Sequence, residues 1–143
     1  MVPIAAQAVV VQEIHSFPSI PTPDSVLVQD SSGAFYGTTS SGGDFGLGTI
    51  YRATTNGVIQ TLLSFDKTNG SYPNGPMVLG PDDALYGTTM SGGDNGGGTV
   101  FRVMTNGDLT TLVSFDYFTT GGDPQSGLIQ GYDGAFYGTT TYG

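Results

Sequence analysis

Short runs of β-branched and aromatic residues alternate with glycine-rich polar turns along most of the chain. An apolar run at 49–53 is followed by Asn56-Gly57 and then by a second run at 58–65, and these three features recur 50 residues later. An Asn-Gly pair between two such runs predicts a β-hairpin with a type I′ turn, because both central residues of that turn need φ > 0. The pattern therefore predicts antiparallel strand pairs at both places.

A second pair of predicted strands precedes each hairpin. In the first copy these strands cover 26–29 and 35–38, and the later copies lie at 77–79 with 85–88 and at 128–130 with 136–139. No window shows the apolar spacing of three and four residues that an amphipathic helix needs, and glycine interrupts every candidate. The unit is therefore predicted to be four short strands.

The unit is a tandem repeat. Segments 34–66 and 84–116 align without a gap and are identical at 21 of 33 positions, and a third copy begins at 135. Four strands in about 50 residues are typical of a β-propeller blade. We therefore predict an all-β protein made of β-propeller blades, each a four-stranded antiparallel meander. Its single repeat domain, 1–143, divides into a lone outer strand at 10–17, blade 1 at 25–66, blade 2 at 76–116 and the first half of blade 3 at 127–143.

The predicted blades are too few to close by themselves. The chain supplies about three, whereas closed propellers have roughly 4–8 blades. An open stack would leave apolar faces and strand edges exposed, which favours association. We expect the ring to be completed by a longer parent chain or by a homo-oligomer, in which a dimer gives six blades and a trimer gives nine.

Composition excludes several classes of protein. The chain has twelve acidic residues and three basic ones, and its formal net charge is −9. A nucleic-acid-binding protein needs a basic surface, so we expect no nucleic-acid partner. No apolar run approaches the ~20 residues of a membrane-spanning helix, so we expect no membrane insertion. The chain has no cysteine and one histidine, which rules out thiolate sites and a multi-histidine metal site within one chain.

Three tyrosines are candidate ligand-binding residues. Tyr36, Tyr86 and Tyr137 occupy the same position of the unit, and each is followed by Gly-Thr-Thr. Repeated aromatic residues with hydroxyl groups can form sugar-binding pockets between blades. In the alternative, structural interpretation they pack between blades and their hydroxyls are satisfied nearby.

Two arginines are further candidates. Arg52 and Arg102 recur at one position of the third strand. They could bind an anionic ligand, or they could pair with acids at the end of the fourth strand, such as Asp66 and Asp116. Recurrence in each blade favours the structural interpretation.

Asp44 and Asp94 lie in the glycine-rich loops GGDFGLG and GGDNGGG. A carboxylate together with backbone carbonyls could hold Ca²⁺, which takes six to eight oxygen ligands. Each loop offers a single acid, however, and we favour the interpretation in which the glycines supply positive φ and the aspartate accepts local backbone hydrogen bonds. We therefore expect no cofactor, and Ca²⁺ is the one ion that the loops suggest.

The pattern AFYGTT…GGD…GTIYR…NG, with its second copy ALYGTTMSGGDNGGGTVFRVMTNG, resembles the GloVer tandem repeat of bacterial proteins. This resemblance implies a β-propeller-like fold in a secreted or surface-attached bacterial protein, and it brings no catalytic residues. No Gly-x-Ser-x-Gly motif is present. We expect a non-enzymatic module for structural or protein-interaction roles that self-assembles; the alternative is a lectin-like propeller that binds glycans or small ligands.

Overall fold

The computed structural model describes residues 25–143, and within this range it contains β-strands and no α-helix, so that no helix there could span a membrane. The prediction of an all-β protein is confirmed. The lone strand predicted at 10–17 lies outside the described residues. In chain order the strands are β1 (Val28–Gln29), β2 (Phe35–Thr39), β3 (Thr49–Ala53), β4 (Ile59–Ser64), β5 (Ser71–Pro73), β6 (Val78–Leu79), β7 (Leu85–Ser91), β8 (Thr99–Val103), β9 (Leu109–Ser114), β10 (Ile129–Gln130) and β11 (Phe136–Tyr137).

The strands form antiparallel sheets that follow one another along the chain. The first sheet has the order β1-β2-β3-β4, in which every strand pairs with the next one in sequence. The second repeats this meander with β6, β7, β8 and β9. In the third sheet, β10 pairs with β11. The predicted four-stranded antiparallel meander is therefore confirmed for the two complete copies of the repeat.

The Asn-Gly hairpins form, but the predicted turn type is wrong. The Gly57 N–H donates to the Thr54 carbonyl at 2.9 Å, which places Thr55 and Asn56 at the centre of the turn. Gly57 has φ 86°, whereas Asn56 does not have positive φ. The turn is therefore a type I turn followed by a left-handed glycine, a common longer hairpin connection. Gly107 repeats this conformation.

One strand was not predicted. β5 pairs with the later part of β7, where Pro73 lies opposite Thr89, while β6 pairs with the earlier part of the same strand. The first strand of the second sheet is thus divided into two pieces. In the third repeat a single bridge between Gly122 and Tyr142 takes the place of the β5 pairing.

The core lies where the first two sheets meet. Phe65, which follows β4, is fully buried, and its ring packs against Phe101 of β8 with centroids 5.5 Å apart. Phe101 in turn covers Gly87 of the neighbouring strand, where an added Cβ would lie 2.5 Å from the ring. Tyr51 covers Gly37 in the same way in the first sheet. The glycine of the first two Tyr-Gly-Thr-Thr motifs therefore gives an aromatic side chain of the next strand room to lie flat on the sheet.

A repeated backbone contact joins each sheet to the next, and we call it the junction. The Tyr72 N–H of β5 donates to the Leu47 carbonyl in the loop between β2 and β3, at 2.8 Å. One repeat later, the Asp123 N–H donates to the Gly97 carbonyl, also at 2.8 Å. Tyr72 and Asp123 both have φ 56°, an uncommon conformation for residues other than glycine. The same geometry therefore occurs twice along the chain.

A proline completes each junction. Pro73 and Pro124 are fully buried. A Cβ added to Gly48 would lie 2.5 Å from Pro73 Cδ, and one added to Gly98 would lie 2.9 Å from Pro124 Cδ and 2.3 Å from a backbone carbonyl oxygen. Only glycine leaves space for the proline at these two positions.

We predict that Gly98→Ala destabilises the protein more than Gly96→Ala. Both glycines have positive φ, 97° and 78°, so both substitutions cost about 1 kcal/mol of backbone strain. Position 96 has no atom within 4 Å of the new Cβ, whereas position 98 meets the junction proline and backbone. The Gly98 variant should lose about 1 to 3 kcal/mol more, the usual range for overpacking. Urea unfolding followed by circular dichroism measures both, and equal losses would contradict the packing at the junction.

Candidate functional site

Each candidate tyrosine forms a hydrogen bond with an aspartate of the turn that precedes its strand. The Tyr36 hydroxyl donates to Asp30 Oδ2 at 2.8 Å, and that of Tyr86 donates to Asp82 Oδ2 at 3.0 Å. The third pair, Tyr137 with Asp133, has a distance of 2.6 Å. The sequence analysis identified the tyrosines and missed these carboxylate partners.

The carboxylate comes from two different positions of the unit. Asp82 and Asp133 lie four residues before their tyrosines, whereas Asp30 lies six residues before Tyr36. In the second repeat the position that corresponds to Asp30 is Gly80, where a Cβ would lie 2.6 Å from the Tyr86 ring. A search for any acid within six residues before each tyrosine would have found all three partners, whereas a column-by-column comparison of the repeats does not.

Arg102 extends one of these pairs into a three-residue cluster. Its Nε and Nη2 lie 2.8 and 2.7 Å from Asp82 Oδ2. The prediction that Arg102 pairs with Asp116 is therefore wrong. Arg102 lies opposite Tyr86 in the β7–β8 ladder, close to the turn that carries Asp82, whereas the residue before Asp116 bonds to Gly97 at the other end of the sheet.

Asp66 and Asp116, the partners predicted for the arginines, instead bond to the backbone that follows them. Asp66 Oδ1 accepts hydrogen bonds from the Thr68 and Asn69 amides, and Asp116 Oδ1 accepts one from Phe118. Arg52 lies within hydrogen-bonding reach of the Tyr36 hydroxyl. Within residues 25–143, the Arg102–Asp82 contact is the one ion pair.

The hydrogen bonds in these clusters stabilise the ionised carboxylates. The Arg102 guanidinium, together with the Tyr86 hydroxyl, lowers the pKa of Asp82, and the Tyr137 hydroxyl lowers the pKa of Asp133. Burial by itself raises the pKa of Asp30, but hydrogen bonds from Ser32, Tyr36 and the backbone outweigh it, so that this pKa is also lowered. The aspartate of each cluster is therefore ionised near neutral pH.

The tyrosine rings differ in how far a ligand could reach them. Tyr36 is 1% exposed, and the ring of Tyr86 stacks on Phe136 with centroids 4.1 Å apart. Tyr137, in contrast, is 52% exposed. Stacking on a sugar ring is therefore geometrically open at Tyr137, whereas Tyr36 can offer little more than its hydroxyl.

One cavity brings two of the predicted site residues together. It has a volume of about 480 Å³ and lies between the first sheet and the turn of the second repeat. Tyr36 and Arg52 line it, and Asn106 contributes from the neighbouring repeat. Its other lining residues are Asp30, Ser32, Gln60, Leu62 and Thr105. Hydroxyl, amide, carboxylate and guanidinium groups at one opening can hydrogen-bond a polar ligand.

The candidate calcium residues lie apart from these clusters. Asp44 and Asp94 are exposed in their glycine loops. In the part of the chain that the structure describes, no three histidine, cysteine, aspartate or glutamate side chains lie close enough to hold a metal ion. The loops therefore do not bring three such side chains of residues 25–143 together around a Ca²⁺ ion.

Comparison with known proteins identifies the repeat. A family model described as the Gloeobacter/Verrucomicrobia repeat matches residues 4–143. Among curated proteins, none matches this chain. The family match covers all three tyrosine–aspartate pairs and both junctions.

We predict that the protein loses stability in acid below about pH 4. The folded-state pKa values of Asp30, Asp82 and Asp133 are lowered from 3.8, so their stabilisation is complete above that pH and is lost as the pH falls through the lowered values. Asp82→Asn should reduce the melting temperature at pH 7 and make its decline between pH 5 and pH 2 shallower.

The matched control is Asp94→Asn, which removes one charge from an exposed loop. It should leave both the melting temperature and its pH dependence close to those of the unmodified protein. Thermal unfolding followed by circular dichroism measures these values. Identical acid profiles for the Asp82 variant and the unmodified chain would contradict the role of the cluster.

Proposed function

Because the chain belongs to the Gloeobacter/Verrucomicrobia repeat family, we propose that it is a non-enzymatic β-propeller module of a secreted or surface-attached bacterial protein. In this proposal the module serves a structural or protein-interaction role and assembles with itself. Its sheets take the part of propeller blades, and a dimer or trimer completes the ring.

The repeated junction is the observation that carries this proposal. The contact between Tyr72 and Leu47 recurs between Asp123 and Gly97 with the same donor–acceptor distance, 2.8 Å. A unit that uses the same surfaces to contact the unit before it and the unit after it needs neighbours on both sides. Such units bury their core faces only in a series, which favours an architectural role.

Exposed apolar surface supports association. Phe115 is half-buried and lines an apolar groove, although its counterpart Phe65 is fully buried. Apolar surface exposed in this groove favours contact with another polypeptide.

The arrangement of the acids supports a non-enzymatic role. The carboxylates of Asp30, Asp82 and Asp133 each accept a hydrogen bond from a tyrosine, and their pKa values are lowered. General acid catalysis near neutral pH needs the opposite shift. These groups are suited to holding the turns of the sheets in place.

We predict that the purified chain has a solution mass of two or three chains of 14.7 kDa. Val113→Asp should shift this mass toward one chain, because Val113 lines the apolar groove beside the third sheet and is 41% exposed. Val58→Asp is the control, since Val58 is 58% exposed elsewhere on the protein. Size-exclusion chromatography with light scattering measures the mass, and a folded monomer of the unmodified chain would contradict self-assembly.

The cavity lined by Tyr36 and Arg52 favours a second candidate function, the binding of a glycan or another small polar ligand. Its opening combines a carboxylate, a guanidinium and amide groups, which suits the hydroxyl groups of a sugar. The equivalent arginine of the second repeat, Arg102, is held in an ion pair with Asp82. The favoured site is therefore one cavity in the first repeat.

For this second candidate we predict saturable binding on a glycan array that Arg52→Gln abolishes. Arg102→Gln removes the same charge outside the cavity and should retain binding. Melting temperatures of both variants show that they are folded. Absence of saturable binding by the unmodified chain, or equal loss in the two variants, would exclude the cavity as a glycan site.

A further inference from the structure

Two arginines at equivalent positions differ in whether they have an acidic partner. Arg52 lies opposite Tyr36 in the β2–β3 ladder, and Arg102 lies opposite Tyr86 in the β7–β8 ladder. Arg102 pairs with Asp82, whereas Arg52 forms no ion pair within the described part of the chain. Arg52 also lines the cavity of about 480 Å³ between the first two repeats. This cavity therefore contains a guanidinium that no carboxylate of the described residues contacts as an ion pair.

The difference follows from which residue of the preceding turn is acidic. Asp82 lies four residues before its tyrosine, and the residue at that position of the first repeat is Ser32. The acid of the first repeat is Asp30, whose Oδ2 accepts a hydrogen bond from the Tyr36 hydroxyl at 2.8 Å. Asp30 forms no ion pair with Arg52. The place beside the guanidinium that a carboxylate fills in the second repeat therefore has no acid in the first.

The second repeat shows how a carboxylate binds this arginine. Asp82 Oδ2 lies 2.8 Å from Arg102 Nε and 2.7 Å from Nη2, so that one oxygen accepts from two nitrogens of the guanidinium. Hydrogen bonds between a planar guanidinium and a carboxylate are among the strongest that proteins form. Because β3 and β8 hold their arginines in the same register, a carboxylate from another molecule can take the equivalent place beside Arg52.

The rest of the cavity offers groups that suit the hydroxyls of a ligand. Four hydrogen bonds, three from its own turn and one from Tyr36, surround the Asp30 carboxylate and limit its repulsion of a second anion. Only one of these four reaches Oδ2, and a carboxylate oxygen can accept a second donor. The side-chain amides of Gln60 and Asn106 line the same cavity, and Leu62 adds an apolar wall. A sugar ring combines hydroxyls with an apolar C–H face and matches this lining.

The turn of the second repeat is held against the first sheet. A Cβ added to Gly107 would lie 2.7 Å from the Leu62 carbonyl oxygen, so the β8–β9 turn packs directly on β4. Thr105 and Asn106 line the cavity from this turn. The walls therefore belong to the two repeats whose four-stranded meanders are complete. The cavity volume lies within the range of ~300–1,000 Å³ that small-molecule sites occupy.

We propose that this cavity binds a hexuronic acid unit of a glycan, with the sugar carboxylate on Arg52 and ring hydroxyls on Asp30 and Asn106. The sugar carboxylate takes the place beside Arg52 that Asp82 takes beside Arg102. A neutral sugar leaves the guanidinium without this partner and binds more weakly. The inference rests on the second candidate function above, and it names the class of sugar that the cavity selects.

Titration of the full chain with acidic oligosaccharides and their methyl esters tests this inference. The probes are tetrasaccharides of glucuronic, galacturonic and mannuronic acid, each paired with its methyl ester, which keeps every ring hydroxyl and removes the charge. Isothermal titration calorimetry should show saturable binding of at least one acid. The affinity for its ester should be at least roughly tenfold lower, a difference of about 1.4 kcal/mol. Binding of none of the acids, or equal affinity for an acid and its ester, would overturn the inference.

Substitution of Ser32 locates the site. Ser32→Asp places a carboxylate at the position of Asp82, where it should pair with Arg52 and lower the affinity for the acid by roughly tenfold or more. Ser32→Asn has nearly the same shape as this variant without its charge and should retain binding. Asn95→Asp adds the same charge to the exposed loop between β7 and β8 and should also retain binding.

Melting temperatures show that these three variants are folded. Unchanged affinity in Ser32→Asp, or an equal loss of affinity in all three variants, would overturn the placement of the carboxylate on Arg52.

Neutral glycans separate this inference from the candidate function on which it rests. Binding of an uncharged sugar that Arg52→Gln abolishes, with no preference for the acids, would support a glycan site and overturn the choice of a hexuronic acid. Absence of binding to every glycan, acidic or neutral, would overturn both. The solution mass of the unmodified chain tests self-assembly independently of either result.

Discussion

The junction between Pro73 and Gly48 determines how one sheet meets the next, because the backbone around it serves two sheets at once. β5 pairs with β7 in the second sheet, while its Tyr72 N–H bonds to a loop of the first. Neither sheet can shift along the other without breaking a backbone hydrogen bond or moving a buried proline. The aromatic core at Phe65 and Phe101 depends on this placement, since it brings together side chains of different sheets.

Local patterns in the sequence were sufficient to predict most of the strands. The hairpins around Asn56-Gly57 and Asn106-Gly107 involve neighbours in sequence, and their strands lie within about a residue of the predicted positions. β5 could not be predicted in this way. Tyr72 has positive φ and Pro73 lacks an N–H, so neither suits a strand, and the segment pairs because β7 and the Leu47 carbonyl are already in place.

The candidate site was predictable in part for a related reason. Recurrence identified the tyrosines, because the strand keeps them at one position of the unit. Their partners depend on distance in space, and a carboxylate can reach the same hydroxyl from the place of Asp30 or from that of Asp82. The ion pair of Arg102 likewise joins a turn to a strand 20 residues away. Such contacts become visible only when the register of the sheet is known.

The sameness of the two junctions has a consequence for how the gene can change. When one whole unit is deleted or duplicated, a loop equivalent to the one that contains Gly48 meets a segment equivalent to the one that contains Pro73. These two parts already fit each other, so the new boundary needs no new interface. Unequal recombination between neighbouring copies can therefore lengthen or shorten the array without an unstable intermediate. A change in copy number would therefore leave the contacts at the boundaries between units as they are.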